Sequence, residues 1–268
     1  MSLGKKKMLH QAAGGIAGED NFAPFLYTGD NLTSRSLTGV GFDPDMIWVK
    51  NRGTSGENHA LADTVRGGGK ILYPNLNLAE TTSAFITPAT DGFNITTNNN
   101  NLSDYDYVAW CFKGGGAAVS NTDGTLTAQV SANVDSGFSI STYTGVGYPN
   151  STTATVGHGL NSAPELVIIK KLNSTNAGLG NWVVGTEYAG SGWDGNMYLN
   201  SNGAYYNAIN YFWNGDATSS VVKLKNDWFV NGNNNPYVMY SFHSVDGYQK
   251  IGSYTASSGD DVINTGFK

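Results

Sequence analysis

Cysteine is nearly absent from this sequence of 268 residues, because Cys111 is the one cysteine and no disulfide can form within the chain. Charged residues are also scarce, at 13% of the sequence against roughly a quarter in an average protein. The formal net charge of −6 excludes a general basic surface for nucleic acid. No apolar run approaches the ~18 residues of a membrane-spanning helix. Stability must therefore come from packed cores and, in an oligomer, from its interfaces.

Glycine, asparagine and aromatic residues are what the sequence has in quantity. There are 35 glycines, and aromatic residues make up 12% of the chain. Glycine and asparagine supply the left-handed backbone positions of turns, and aromatic side chains fit the pleated faces of sheets. The composition therefore predicts an all-β protein with many turns.

The chain contains the same phrases twice and the start of a third copy. Residues 25–29 (FLYTG) return as 140–145 (ISTYTG) and as 251–255 (IGSYT). The phrase GFDPDMIWVK at 41–50 has its counterpart in GLNSAPELVIIK at 159–170. The copies lie about 115 residues apart, the size of a small domain, whereas solenoid repeats recur at about 20–50 residues.

Short strands between turn signals account for most of each copy. Residues 46–49 and 166–169 are continuous apolar runs, typical of strands buried on both faces. Residues 92–96 and 137–141 alternate with period two, which predicts half-buried strands. Many short strands with frequent turns favour a β-sandwich of the jelly-roll or lectin type in each copy. One larger sandwich shared by both copies is the alternative.

These patterns predict tandem β-sandwich domains after a short N-terminal arm. We expect the arm at 1–20, the first sandwich at 21–135, the second at 136–250 and the start of a third repeat at 251–268. The third copy stops where its next apolar strand should follow, so we expect the sequence to be part of a longer protein. The alternative is that these last strands pair with an earlier copy.

A catalytic or metal-binding pattern is missing from the sequence. The four histidines have no metal-ligand spacing, and His158 is expected to cap backbone groups in a turn. Cys111 lies in an apolar strand and is expected to be inert. A glycosidase would need paired carboxylates, but the candidates follow no such pattern and are explained as turn residues: Asp104, Asp106, Glu187, Asp194 and Asp227. We predict no catalytic residue, no metal and no cofactor.

Two segments are candidates for binding. Between residues 193 and 214, aromatic and amide side chains are mixed, which suits contact with a sugar or with a protein. The candidate glycan-binding residues are Trp193, Tyr205, Tyr206, Tyr211 and Trp213. The alternative is that these aromatic residues belong to core strands.

The N-terminal arm is the second candidate, because it differs in composition from the rest of the chain. Three lysines lead into a stretch rich in glycine and alanine, and the candidate virion-docking residues are Lys5, Lys6, Lys7 and Ile16. A solvated tail is the alternative interpretation.

Three phrases together resemble a repeat family found in virion proteins of tailed bacteriophages, especially marine ones. They are residues 27–50, residues 107–116 (YVAWCFKGGG) and residues 119–133 (VSNTDGTLTAQVSAN). The resemblance covers nearly the whole chain after residue 20. It implies a tail-fibre, appendage or capsid-surface protein, and it carries no catalytic residue.

The resemblance and the repeats together imply a non-enzymatic virion protein, made in the host cytoplasm, that contributes to host attachment. We expect its partners to be tail, portal-adaptor or capsid proteins, with a host surface glycan as a further partner. A homo-oligomer is expected, and a trimer is favoured. Neither nucleic acid nor membrane insertion is expected. The alternatives are a capsid-surface decoration protein, a glycan-binding module and, with least support, a polysaccharide depolymerase.

Overall fold

The computed structural model describes residues 20–53, 56–96, 100–174, 180–190, 192–195, 197–206 and 211–266. Nearly all the regular structure in this part of the chain is antiparallel β-sheet, with one short helix. The prediction of an all-β sandwich-type fold is confirmed.

The first nine strands lie between residues 22 and 112. They are β1 Phe22–Thr28, β2 Ser34–Thr38, β3 Met46–Asn51, β4 Ala60–Asp63, β5 Lys70–Ile71, β6 Thr81–Thr82, β7 Ile86–Ala89, β8 Gly92–Thr96 and β9 Asp106–Phe112.

These strands form the first sandwich. Sheet I has the order β1-β9-β3-β4, sheet II has the order β2-β8-β7, and β5 pairs with β6. Successive side chains of a strand point to opposite faces of its sheet. The inward residues of sheet I, such as Ile47, Val49 and Ala109, pack with Phe93 and Ile95 of sheet II in a buried core.

The remaining elements lie between residues 119 and 242. They are β10 Val119–Asn121, β11 Ala128–Asn133, β12 Phe138–Thr144, β13 Ala154–Gly157, β14 Leu166–Lys171, β15 Trp182–Thr186, β16 Met197–Tyr198, β17 Val221–Leu224, α1 Trp228–Asn231 and β18 Pro236–Phe242.

These elements form the second sandwich. Sheet III has the order β10-β11-β12-β18-β14-β15-β16, and sheet IV pairs β13 with β17. Its core contains Val167, Ile169, Val222, Leu224 and the indole of Trp213.

The two sandwiches share one framework. The order β12-β18-β14-β15 within sheet III repeats the order β1-β9-β3-β4 of sheet I. A stacked tyrosine pair recurs at the same place: the Tyr27 and Tyr107 rings are 4.9 Å apart, and the Tyr143 and Tyr237 rings are 5.2 Å apart. The phrases repeated in the sequence therefore correspond to strands in equivalent positions.

Strand pairing divides the copies earlier than residue 135, where we expected the boundary. Strand β11 pairs with β12, and β10 pairs with β11, so residues 119–133 belong to the sheet of the second sandwich. Sequence phrases mark equivalent strands but do not show which neighbour an intervening strand will join. By pairing, the division falls in the glycine run at 114–116. Residues 251–266, the start of the third copy, contain no strand in the structure.

The outward faces of sheets I and III pack against each other. Met46 and Leu61 of sheet I meet Phe138, Ile140 and Tyr240 of sheet III in a third apolar cluster. Each copy keeps its own sheets and its own core, so the alternative of one sandwich shared by both copies is not adopted in the described residues.

This interface uses the same face of both copies. Phe112 and Phe242 occupy equivalent positions in β9 and β18, and their ring centroids are 6.1 Å apart. Contact between equivalent residues is the mark of an isologous interface, in which two like surfaces cover each other. The covered parts of these faces are consequently closed to further copies.

Buried polar groups join the two sandwiches at one side of this cluster. The Arg66 Nε lies 2.6 Å from Asp63 Oδ2, which also accepts a 2.6 Å hydrogen bond from the Tyr240 hydroxyl. Arg66 makes a second ion pair of 2.8 Å with Glu80. Burial alone would lower the pKa of Arg66, but the Asp63 carboxylate raises it above its ordinary value. The Trp182 indole N–H donates across the interface to the carbonyl of Leu76 at 3.0 Å.

Within the described part of the chain, no helix has the length and apolar character needed to cross a bilayer.

Candidate functional site

Two of the predicted glycan-binding residues, Trp193 and Trp213, belong to the core of the second sandwich. Both side chains are buried, and their rings meet edge to face with centroids 5.2 Å apart. Gly185 in β15 makes room for them, because a Cβ atom there would lie 2.3 Å from the Trp213 ring. A buried ring offers no face to a sugar, so the alternative interpretation as core residues applies to this pair.

The predicted tyrosines are divided between packing and exposure. Tyr205 is half-buried and packs against Gly190 and Gly195. Tyr206 and Tyr211 are 66% and 52% exposed, so these two remain available for contact. The residues between them, 207–210, lie outside the described part of the chain.

The predicted docking arm also lies outside the described residues. Lys5, Lys6, Lys7 and Ile16 all precede residue 20, and their role stays a prediction.

Three of the residues considered for chemistry, His158, Cys111 and Asp227, have structural roles. His158 is buried, its Nδ1 accepts a 3.2 Å hydrogen bond from the Leu160 N–H, and its Nε2 lies 3.1 Å from the Thr218 carbonyl. The expected capping role of His158 is thereby confirmed. Burial raises the pKa of the Cys111 thiol to about 12. Asp227 caps the start of α1 through a 2.7 Å hydrogen bond from the Phe229 N–H. In the described ranges, no three acidic, histidine or cysteine side chains are grouped to hold a metal ion.

An open groove of about 830 Å³ lies on the outward face of sheet I, beside the interface with sheet III. Its floor is formed by residues of β1 and β9 that point away from the core, Leu26, Val108 and Trp110. Sheet III covers Met46 and Phe112 at one end of this face. Leu26 at the other end is 62% exposed. We call this the tryptophan groove; its polar wall is formed by Lys50, Asn51, Arg52, Gly53, Glu57, His59 and Asn75.

The Trp110 indole and the His59 imidazole line the tryptophan groove, and Trp48, which packs against the interface cluster, contacts both. Trp48 meets Trp110 edge to face, with ring centroids 5.7 Å apart. The Trp48 indole N–H donates a 2.9 Å hydrogen bond to His59 Nδ1. Because Nδ1 is the acceptor, a neutral His59 carries its proton on Nε2, where it can serve as a donor to a ligand.

Backbone contacts hold His59 and Lys50 in place. The His59 N–H donates to Asn75 Oδ1 at 3.0 Å, and Asn75 in turn donates to Asn58 Oδ1 at 2.9 Å. The Lys50 ammonium donates to the Glu57 carbonyl at 3.0 Å. Burial, followed by the nearby charge of Lys50, lowers the pKa of His59 below its usual value. The groove thus presents a neutral imidazole at neutral pH.

The second sandwich has neither tryptophan at the equivalent positions; a depression of about 460 Å³ there is lined by Thr142 and Leu172, the counterparts of Leu26 and Arg52, but by no tryptophan. In strand order, Trp48 corresponds to Ile168, Trp110 to Tyr240 and Leu26 to Thr142. Ile168 and Tyr240 pack into the interface cluster. The framework is therefore built in the second copy without either tryptophan, so the pair in the first copy is not a requirement of the fold.

Sequence reasoning missed this groove because residues 46–49 were interpreted as a strand buried on both faces. Trp48 is in fact only partly buried. The signal in the sequence was a difference between the two copies. Trp48 stands where the second copy has Ile168, and Trp110 stands where it has Tyr240.

Comparisons with known proteins give a family without a described activity. Neither a search of curated proteins nor a search of solved structures found a significant match. A family model, described as a domain of unknown function (DUF7483), matches residues 17–268. Because this match covers nearly the whole chain, the protein belongs to the DUF7483 family.

Proposed function

We propose that this protein is a non-enzymatic structural protein of a tailed-bacteriophage virion, a tail fibre or appendage protein that contributes to host attachment. The observation that carries the proposal is the duplication: two copies of one sandwich framework, stacked through equivalent faces, differ in the residues that they expose. Tandem copies of this kind build length and surface rather than a single reaction centre. The resemblance of the repeated phrases to phage virion repeats supports the same assignment.

We assign different partners to the N-terminal arm and to the two sandwiches. The arm at residues 1–20 docks on tail, portal-adaptor or capsid proteins after synthesis in the host cytoplasm, and the sandwiches face the host surface. The protein works without a cofactor, without nucleic acid and without insertion into a membrane.

Mass spectrometry of particles tests this assignment. Phage particles purified through a density gradient should contain peptides from this chain at a constant ratio to the major capsid protein across the particle peak. Enrichment only in the unassembled protein of the lysate, with none in the particle fractions, would reject the assignment.

A capsid-surface decoration protein is the second candidate. Compact sandwiches with an N-terminal docking arm suit either position, and the two positions differ in copy number. Copy numbers in the hundreds per particle would favour the capsid surface, and copy numbers of a few to tens would favour the tail.

Oligomeric state is part of the proposal. Fibre proteins of this class are expected to be trimers, so sedimentation of the full chain at micromolar concentration should give three times the 28.4 kDa chain mass. A stable monomer under those conditions would count against a fibre.

A further inference from the structure

The interface between the sandwiches covers only part of the outward face of sheet I. Met46, Trp48 and Phe112 on this face belong to the interface cluster or pack against it. Leu26, which lies opposite Val108 in the next strand, is largely exposed instead. The tryptophan groove is this uncovered part of the face.

The chemistry of the tryptophan groove is mixed rather than apolar. Trp110 and Leu26 supply carbon surface, and the exposed side chains of Arg52 and Asn75 lie in the same wall as the half-buried His59. An aromatic ring beside planar groups that donate and accept hydrogen bonds matches a sugar, whose C–H face is apolar and whose rim carries hydroxyl groups. The groove has a volume of about 830 Å³ and is open to solvent, so a bound ligand would keep one side exposed.

We propose that the tryptophan groove binds a short oligosaccharide, with one sugar ring packed on Trp110 and its hydroxyl groups hydrogen-bonded by His59, Asn75 and Arg52. The groove is a different site from the tyrosines at 206 and 211. The proposal deepens the host-attachment role and rests on it for the source of the sugar, a bacterial surface polysaccharide.

The duplication provides an internal comparison for this proposal. At the equivalent places the second copy has Ile168, Tyr240 and Thr142, and its counterpart of Lys50 is the fully buried Lys170. Lys170 donates a 2.7 Å hydrogen bond to a backbone carbonyl of its own strand. The depression at the equivalent place in the second copy is smaller, about 460 Å³, and has no tryptophan in its lining.

The walls of the groove also argue for a sugar over a second copy of the chain. Lys50, Arg52 and Glu57 place charges of both signs around a small apolar floor. The centres of stable protein interfaces are depleted in charged residues. An open wall of charged and amide groups instead suits a ligand that is itself covered in hydroxyl groups.

Binding to an array of bacterial surface oligosaccharides, followed by titration of the best-bound member with tryptophan fluorescence as readout, tests the proposal. Trp110→Ala should weaken binding by at least about tenfold, in the manner of an aromatic anchor at a binding site. Leu26→Glu should also weaken it by blocking the groove, and because Leu26 is exposed this variant should fold like the wild type.

Two control variants show whether a loss of binding is specific to changes in the groove. Val119→Glu changes a valine that is 65% exposed on strand β10, so it adds the same charge away from the groove and should leave binding unchanged. Tyr206→Ala should leave binding at the groove unchanged as well.

The proposal would be overturned if no oligosaccharide on the array binds, if binding survives Leu26→Glu, or if binding is lost only with Tyr206→Ala. A wild-type oligomer that Leu26→Glu dissociates would make the groove an interface between copies and would also overturn it. The proposed virion role fails separately, since a chain that binds sugar through the groove but is absent from particles contradicts that role alone.

Discussion

Gly185 shows how closely the core of the second sandwich is packed. A Cβ atom at this position would lie 2.3 Å from the Trp213 ring and 2.8 Å from the Trp193 ring, both of them in the core. Gly185→Ala should therefore lower the free energy of unfolding by about 1–3 kcal/mol, the usual cost of overpacking. Urea unfolding measures this loss. Gly252→Ala is the control, because a Cβ atom there meets nothing within 4 Å. Equal stability of the two variants would contradict the packing described for the tryptophans.

His59 is predicted to make the tryptophan groove sensitive to acid. Its pKa is lowered in the folded chain, so below about pH 6.5 the unfolded chain takes up a proton that the folded chain resists. This contribution of His59 to the stability of the folded chain is fully present above about pH 6.5. It is lost as the pH falls from there through the lowered pKa of His59. The buried His158, whose pKa burial also lowers, acts in the same direction.

NMR titration separates the contribution of His59 from that of His158. We expect the His59 ring to titrate below the usual histidine range, and the Trp48 indole N–H resonance to shift with it, because a protonated Nδ1 cannot accept the indole proton. His59→Asn keeps an acceptor for Trp48 and should remove the shift. A Trp48 resonance that does not respond to pH in the wild type would argue against the hydrogen bond.

The residues predicted to bind a glycan show where the burial of a single side chain cannot be predicted from the local sequence. Aromatic and amide residues between 193 and 213 suggested a surface, but this segment has no regular period from which a face could be assigned. Burial of Trp193 and Trp213 depends on the space left by Gly185, which precedes them by 8 and 28 positions in the chain. Local sequence does not contain that information.

Strands in equivalent positions should contribute equally to the stability of the two sandwiches. The Tyr27 hydroxyl in β1 donates a 2.7 Å hydrogen bond to the Asn100 carbonyl, and the Tyr143 hydroxyl in β12 donates one of 2.7 Å to the Val230 carbonyl. Tyr27→Phe and Tyr143→Phe should each lower the free energy of unfolding by about 1 kcal/mol, the typical net value of such a bond. Urea unfolding of the two variants and their double mutant checks this. A large cost in one copy with none in the other would mean that the copies are not equivalent.

Much of this strand framework was predictable from the sequence. The apolar runs at 46–49 and 166–169 are in β3 and β14, and the alternating stretches at 92–96 and 137–141 coincide with β8 and the start of β12. Placement of β10 and β11 was not predictable, because partner choice depends on which sheet edge is open rather than on residue type. The face of sheet I that stays uncovered is likewise a result of how the sandwiches stack.

The two sandwiches are joined by buried polar contacts as well as by apolar packing. Tyr240 belongs to the second sandwich, yet its hydroxyl donates to Asp63, whose carboxylate also pairs with Arg66 in the first. Tyr240→Phe should lower the free energy of unfolding by about 1.5–3 kcal/mol, the range for a bond to a charged group. Tyr206→Phe, at an exposed ring, is the control. An unchanged unfolding midpoint in Tyr240→Phe would show that this contact does not stabilise the stacked pair.

Stacking through equivalent faces bears on the proposed role of the chain as an appendage. An isologous contact closes on itself, so the two copies form a pair rather than the first members of an open series. Length in such a protein would come from adding pairs, while the surfaces left uncovered by stacking remain free for recognition. The tryptophan groove is one such surface.

The central claim is that this chain is a virion protein placed where a particle meets its host. Electron microscopy of purified phage particles labelled with gold-coupled antibodies against this chain tests it most directly. We expect gold at the tail or its appendages in most particles, with none after preabsorption of the antibody with the purified protein. Particles that carry no specific label, from a lysate in which the chain is abundant, would contradict it.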